Sequence, residues 1–328
     1  MSKNLIAIKQ KNEKFANIVW QVSNLCNYRC TYCNEGNWKG DYKNLNLDNV
    51  ISGLEKIYNY YLDHDYKLLK IFFSGGEPTY WKPFIDVINH AKQTKFKYVQ
   101  IAVNTNFSTK KSWWEKNWKL FDDVVATYHP EFANEECFIE NYLFLQDKIN
   151  YLCARMMMYE PHWDKVLAFK KKLQEVATNF RIEYVPIFDE LSPLTAPYNY
   201  KDKDKEKWLR INNYEETILN PVSSNHNYDI SSLEVYDTNE IKNLNSNRIV
   251  AENNNFFKGW KCFLSESIFI NVQGNISLGS CGVINSIGNL YNTFEFPNNN
   301  YTICPKKHCH CGTDICISKE KYVSNSMV

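Results

Sequence analysis

From residue 17 to residue 188 the chain alternates short apolar runs with longer amphipathic stretches. NIVWQV (17–22) and KLLKIFFSGG (67–76) are short runs, the second ending in glycines. Between them, LDNVISGLEKIYNYYLD (47–63) repeats its apolar residues at helical spacing, with Asp48 placed to suit the positive end of a helix. The same alternation continues through WKPFIDVINHAKQ (81–93), KYVQIAVNTN (97–106), KKSWWEKNWKLF (110–121), DDVVATYHP (122–130) and NEECFIENYLFLQDK (134–148). NYLCARMMMY (150–159), HWDKVLAFKKKLQEVA (162–177) and FRIEYVPIF (180–188) complete it. Six strands with helices between them predict an α/β fold with a parallel sheet. Such a series makes an open doubly wound sheet or a partial barrel, because a full eight-stranded barrel needs about 250 residues. In both, the loops that follow the strands share one face. The loop after the first strand, SGGEP after the second, NTN ending the third and YHPE ending the fourth therefore meet there.

The pattern changes beyond about residue 190. KDKDKEKWLRINN (201–213) is dense in charge and NSNRIVAENNNFF (245–257) is rich in Asn. We expect 1–190 to form the α/β unit, 191–255 a linker or lid with little core, and 256–328 a small separate module. In that module SIFINVQGNISLGSC (267–281) reads as a hairpin around QGN.

Composition adds one unusual feature. The 328 residues carry 38 basic and 37 acidic side chains, a net charge of +1, which argues against a nucleic-acid partner. No apolar run reaches the roughly 18 residues of a membrane span, and the first residues lack a signal-peptide core, so a cytoplasmic protein is expected. There are 11 cysteines. Without a secretion signal, metal ligation is the better reading than disulfides. Cys26, Cys30 and Cys33 form one group and Cys262, Cys281, Cys304, Cys309, Cys311 and Cys316 a second, while Cys137 and Cys153 read as packed apolar residues. RMMMY (155–159) reads as core, and most of the tryptophans suit a helix packed on the sheet.

Three clustered thiols leave one position of a four-ligand site open. Cys26-x3-Cys30-x2-Cys33, with Tyr32 before the last cysteine, and GGEP at Gly75, Gly76, Glu77 and Pro78 after the second strand resemble the two motifs of radical S-adenosylmethionine (SAM) enzymes. The resemblance spans roughly 18–190. It implies a partial (β/α)6 TIM-type barrel with a [4Fe–4S] cluster on the three cysteines and SAM on the exposed iron. By the same resemblance, Gly75, Gly76 and Glu77 accept hydrogen bonds from the SAM ammonium, and Tyr32 lies near its adenine. The implied chemistry is reductive cleavage of SAM to a 5′-deoxyadenosyl radical that takes hydrogen from a substrate carbon. A flavodoxin- or ferredoxin-type reductant is the implied partner.

Cys262, a hairpin, Cys281 and then a C-terminal run resemble the twitch and SPASM auxiliary-cluster domains of that superfamily. The run departs from the full SPASM spacing, being Cys304-x4-Cys309-x1-Cys311-x4-Cys316. Six cysteines are too few for two fully ligated cubanes, so one auxiliary [4Fe–4S] cluster is expected. Cys262 and Cys281 are its firmest ligands, with Cys309 and Cys304 or Cys311 next; a structural zinc site using His308 or His310 is the alternative.

Other candidates carry two readings each. Asn104 and Asn106 fit SAM contacts or turn-capping asparagines. Arg155 fits the SAM carboxylate or a buried ion pair. His129 and Glu131 fit substrate binding or proton transfer, or a solvent-facing loop pair. The expected function is a radical SAM oxidoreductase, its auxiliary cluster accepting an electron. The substrate is expected to be a sugar or other small metabolite, because only about 17 residues precede the first strand, too few for a leader-peptide-binding domain. The alternatives are a peptide-modifying radical SAM enzyme and a non-catalytic metal-stabilised binding or electron-transfer protein.

Overall fold

The structure is a computed structural model that describes residues 3–41, 46–187, 199–219, 228, 230–309 and 311–322. In chain order, β1 (Leu5–Gln10) and β2 (Phe15–Gln21) lead through the cysteine loop to α1 (Leu47–Asp63). Strand and helix then alternate: β3 (Leu68–Ser74), α2 (Phe84–Lys92), β4 (Tyr98–Thr105), α3 (Lys111–Asn117), β5 (Asp123–Tyr128), α4 (Glu135–Leu145), β6 (Tyr151–Met157), α5 (Trp163–Val176) and β7 (Ile182–Val185). Strands β2 to β7 pair in sequence order and in parallel, as the alternation predicts.

Side-chain alternation sorts this sheet into two faces. Ile18, Trp20, Ile71, Phe73, Ile101, Val103, Val124 and Ala126 are buried with Val50, Leu54, Ile57 and Tyr61 of α1 in the main core. Each buried Val, Leu, Ile or Phe among them contributes about 1.5–3 kcal/mol. Helix α1 starts where Asn46 accepts hydrogen bonds from the Asp48 and Asn49 amides. The opposite parity is mixed: Asn17, Lys70 and Gln100 lie in register, Val19, Phe72 and Ala102 form an apolar row beyond them, and Thr127, Arg155 and Glu183 form a second polar row. These positions face the concave side of the partial barrel.

The remaining elements are α6 (Lys203–Leu219), β8 (Ser232–Tyr236), β9 (Ile241–Asn243), α7 (Ser246–Ala251), β10 (Trp260–Cys262), β11 (Ser267–Ile270), β12 (Asn275–Leu278), β13 (Ile284–Asn289), β14 (Thr302–Ile303), α8 (Gly312–Ile315) and β15 (Lys319–Lys321). They depart from expectation in three ways. The segment 191–255 is not simply a linker or lid. It contributes α6 and the strands β8 and β9, although 191–198, 220–227 and 229 lie outside the described residues. Second, β1 joins β8, β9, β10, β14 and β15 in a six-stranded sheet, ordered β14-β10-β15-β1-β8-β9. The predicted hairpin, third, is not confined to a separate module from 256. Strand β11 pairs in parallel with β2, Ser267 opposite Asn17, and β11, β12 and β13 extend the barrel sheet to nine strands. The hairpin itself is as predicted, Ile268 opposite Leu278. Among the described residues no helix is long and apolar enough to cross a membrane.

Candidate metal and cofactor sites

Strand β2 delivers the first cysteine group. Beyond Gln21 the chain turns through Cys26, Cys30 and Cys33, with the Cys33 amide donating to the Cys30 carbonyl at 3.0 Å. The three thiols gather with Tyr28, Tyr32, Met157 and Tyr159 in one small cluster. Burial pushes the Cys26 thiol up to about 11 and Cys30 to about 12, and raises Cys33 as well. Arg29 donates to the Cys26 and Tyr28 carbonyls at 2.6 and 2.8 Å, and its charge opposes the burial effect on Cys26 only in part. Buried thiols of this kind become thiolates only beside a strong positive charge, which a metal centre supplies. Among the described residues no three His, Cys, Asp or Glu close on a single metal ion. The donor set is all thiol, which suits the soft ligation of an iron–sulfur cluster.

GGEP fixes this loop from beneath. The Gly76 amide donates to Ser23 O at 2.9 Å and the Glu77 amide to Leu25 O at 2.7 Å. Gly75 has φ +126°, and a Cβ there would lie 2.5 Å from Ser23 O. On Gly76 a Cβ would lie 2.4 Å from Leu25 O. Both glycines are thus required by close approach to the cysteine loop itself. Glu77 is fully buried, and Pro78 follows it as the first residue of a single helical turn. Its carboxylate accepts from the Thr79 amide (3.1 Å), Thr79 Oγ1 (2.7 Å), Thr105 Oγ1 (2.8 Å) and the Asn106 amide (2.6 Å). In this arrangement Glu77 ties β3 to the end of β4 and aims Asn106. Asn106 Nδ2 donates to Asn27 Oδ1 at 2.8 Å and reaches Cys26 Sγ at 3.8 Å. Asn104 instead accepts from Thr127 Oγ1 at 2.7 Å.

His129 and Glu131 brace the same loop from β5. Glu131 accepts from the Thr31 amide at 2.8 Å and from Thr31 Oγ1 at 2.6 Å. His129 Nδ1 lies 2.9 Å from the Tyr32 hydroxyl and 3.5 Å from Cys30 Sγ. Burial lowers His129 to about 4 and raises Tyr32, so the imidazole is neutral and the phenol donates to it. Both residues are thus engaged with the cysteine loop, while Glu131 keeps part of its surface in solvent. Arg155 Nε donates to Glu183 at 2.8 Å across the strands, the ion-pair alternative. Sequence reasoning missed Tyr159, whose ring lies 4.8 Å from Tyr32 and whose hydroxyl lies 3.1 Å from Thr31 Oγ1. Its place at the end of the fifth predicted strand was the available signal.

The second group converges elsewhere. Cys262, Cys281, Cys304, Cys309 and Cys311 line one cavity of about 450 Å³, with Asp314 and Lys319. Cys316 is not in that lining; its carbonyl accepts from Ser232 Oγ. His308 borders the cavity, and His310 lies outside the described residues. Burial pushes Cys262 up to about 12 and raises Cys281, Cys309 and Cys311. Asp314 is 2% exposed; Oδ1 accepts from the Ser280 amide at 2.8 Å, and Oδ2 has no hydrogen-bond partner among the described residues. Five thiols and a buried carboxylate around one space make a donor set for a metal centre, an iron–sulfur cluster or a thiolate-held zinc.

A family model described as the Radical SAM superfamily matches residues 20–185. The radical SAM cyclopropyl synthase TigE of Paramaledivibacter caminithermalis is 24% identical over 208 residues. That alignment covers 56% of this chain and 43% of TigE, so the chain spans less than half the length of the curated relative it matches. Among solved structures, native anSMEcpe with bound AdoMet matches at a TM-score of 0.54 and 15% identity, covering 85% of this chain and 79% of that one. BtrN in complex with AdoMet and 2-DOIA matches at a TM-score of 0.40 and 11% identity, covering 85% and 80%. The anSMEcpe likeness shows a shared fold.

Proposed function

The chain belongs to the radical SAM superfamily, and on that premise we propose that it is an oxidoreductase acting on a polar small molecule, with a second iron–sulfur centre in its C-terminal cavity. The observation that carries the reading is the three-thiol loop bolted to GGEP at the mouth of the parallel barrel. When bound, the reduced cluster and SAM together supply a radical able to remove hydrogen from an unactivated carbon.

The protein's own residues bind, orient and exclude water. Cys26, Cys30 and Cys33 would hold the cluster. Gly75 and Gly76 hold the cysteine loop at fixed depth, and Glu77 orients Asn106 toward Cys26. Tyr32, Tyr159 and neutral His129 wall the thiols from solvent on the β5–β6 side. A polar substrate is supported by the Thr127, Arg155 and Glu183 row toward the C-terminal ends of the strands, where Arg155 Nε donates to Glu183 at 2.8 Å and Thr127 Oγ1 to Asn104 Oδ1 at 2.7 Å. Cys262 and Cys281, with others of the five converging thiols, would hold the second centre, which on this reading takes up the electron left after hydrogen removal. A flavodoxin- or ferredoxin-type carrier supplies the first electron.

The test is iron content after anaerobic reconstitution of wild type and a Cys26/Cys30/Cys33→Ala variant. We expect about 8 irons falling to about 4, with dithionite-driven 5′-deoxyadenosine from wild type alone. No deoxyadenosine from iron-loaded wild type would sink the enzymatic reading. Iron falling to zero in the variant would remove the second centre.

A further inference from the structure

We propose that Lys319 supplies the fixed positive charge required by an iron–sulfur cluster in the C-terminal cavity, and that this charge raises the cluster's reduction potential. The inference rests on the reading that the cavity holds such a cluster.

Lys319 is only 2% exposed. Strand β15 places it directly opposite Cys262, and it lines the cavity with the five thiols. Its ammonium donates to the carbonyls of Asp314 (2.7 Å), Ile315 (3.0 Å) and Ile317 (2.8 Å). Those three bonds use all of its protons. The Phe257 ring lies 4.9 Å from the nitrogen. The charge is therefore pinned in place. With its protons spent on carbonyls, it acts on the cavity through space.

A buried ammonium bonded only to neutral carbonyls is costly unless negative charge lies near. The buried carboxylate of Asp314 and the partly buried one of Glu266 supply part of it, and Cys262 and Cys309 the rest once ionised; Lys319 favours the charged form of all four. Reducing an iron–sulfur cluster adds one more negative charge. A fixed cation beside it makes that step easier, since local charge is among the factors that set such potentials.

The experiment uses the Cys26/Cys30/Cys33→Ala protein, in which only the C-terminal centre can load. Into it go Lys319→Arg, Lys319→Met and Lys319→Gln, the last keeping amide donors for the carbonyls. Iron, acid-labile sulfide and the potential from a redox titration followed by electron paramagnetic resonance are measured. Arg should keep the parent potential. Met and Gln should make reduction about tenfold less favourable, a shift of about 59 mV to the negative for one electron. If neither neutral variant loads while Arg loads at the parent potential, the requirement for charge is upheld at assembly. Neutral variants that load fully with the parent potential overturn the proposal, and so does an Arg variant that fails to load, because Lys319 would then be only a structural cap. No iron or sulfide in the parent would instead remove the cluster reading on which the inference stands.

Discussion

His129 shows how one side chain is shaped by its neighbours. Its Nδ1 accepts from Tyr32 and sits beside Cys30, and burial holds its pKa near 4 against an ordinary 6.5. The folded state thus resists the proton that the unfolded state takes up between those values. Stability is full above about pH 6.5 and is lost as pH falls toward 4, because the unfolded state binds more protons in that window. For iron-free protein at pH 5 the loss from this group is about 2 kcal/mol. Denaturant unfolding of wild type and His129→Gln at pH 7.5 and pH 5 measures it. Wild type should lose that much more than the variant, and parallel losses would contradict the assignment. Glu77 and Glu131 behave alike in one respect. Both were legible as functional positions, yet both spend their carboxylates on neighbouring loops, which spacing alone does not reveal.

At the scale of elements, the six barrel strands were legible because each is an apolar run closed by Gly, Asn or Pro and separated by helical periodicity. The six-stranded sheet was not, and SLEVY shows why. In β8 the buried positions are Ser232, Glu234 and Tyr236, while Leu233 and Val235 are half-exposed. The usual inside-outside pattern is inverted, so a hydrophobic reading finds no strand. Its partner β1 lies more than 200 residues earlier, and nothing local encodes that pairing. The inversion is stabilised by polar contacts: fully buried Glu234 pairs with Arg248 of α7 and accepts from the Tyr236 hydroxyl at 2.6 Å. Arg248→Met leaves that carboxylate buried without its cation and should cost about 3 kcal/mol. Adding Glu234→Gln should restore most of it. Denaturant melts of both would decide, and a single-variant cost below about 1 kcal/mol would show that the pair behaves as an ordinary surface bridge.

For the whole molecule, the question is whether the barrel stands without the chain that follows it. The cysteine loop grows from β2, and β2 has β3 on one side and β11 on the other. Buried Asn17 Nδ2 donates to Ser267 Oγ at 3.0 Å across that second edge. Helix α1 is covered by the same later segment: the Tyr61 hydroxyl donates to Ser265 O at 3.0 Å, and Tyr60 stacks on Phe296 with ring centres 3.6 Å apart. Gly53 lies so near Leu290 that a Cβ would meet its carbonyl at 2.2 Å. Strand β1, from the opposite end of the sequence, is in turn held by β15. Removing residues from 256 onward therefore strips a strand from the edge that carries the cysteine loop and uncovers the side of α1 that bears Gly53, Tyr60 and Tyr61. Residues 1–255 alone should show no cooperative melt and should not retain iron at Cys26, Cys30 and Cys33, whereas the full chain should unfold in one transition by both circular dichroism and tryptophan fluorescence. A sharp melt with iron bound in 1–255 would mean that β2 holds its loop through β3 and GGEP alone, and the C-terminal elements would then serve only their own cavity.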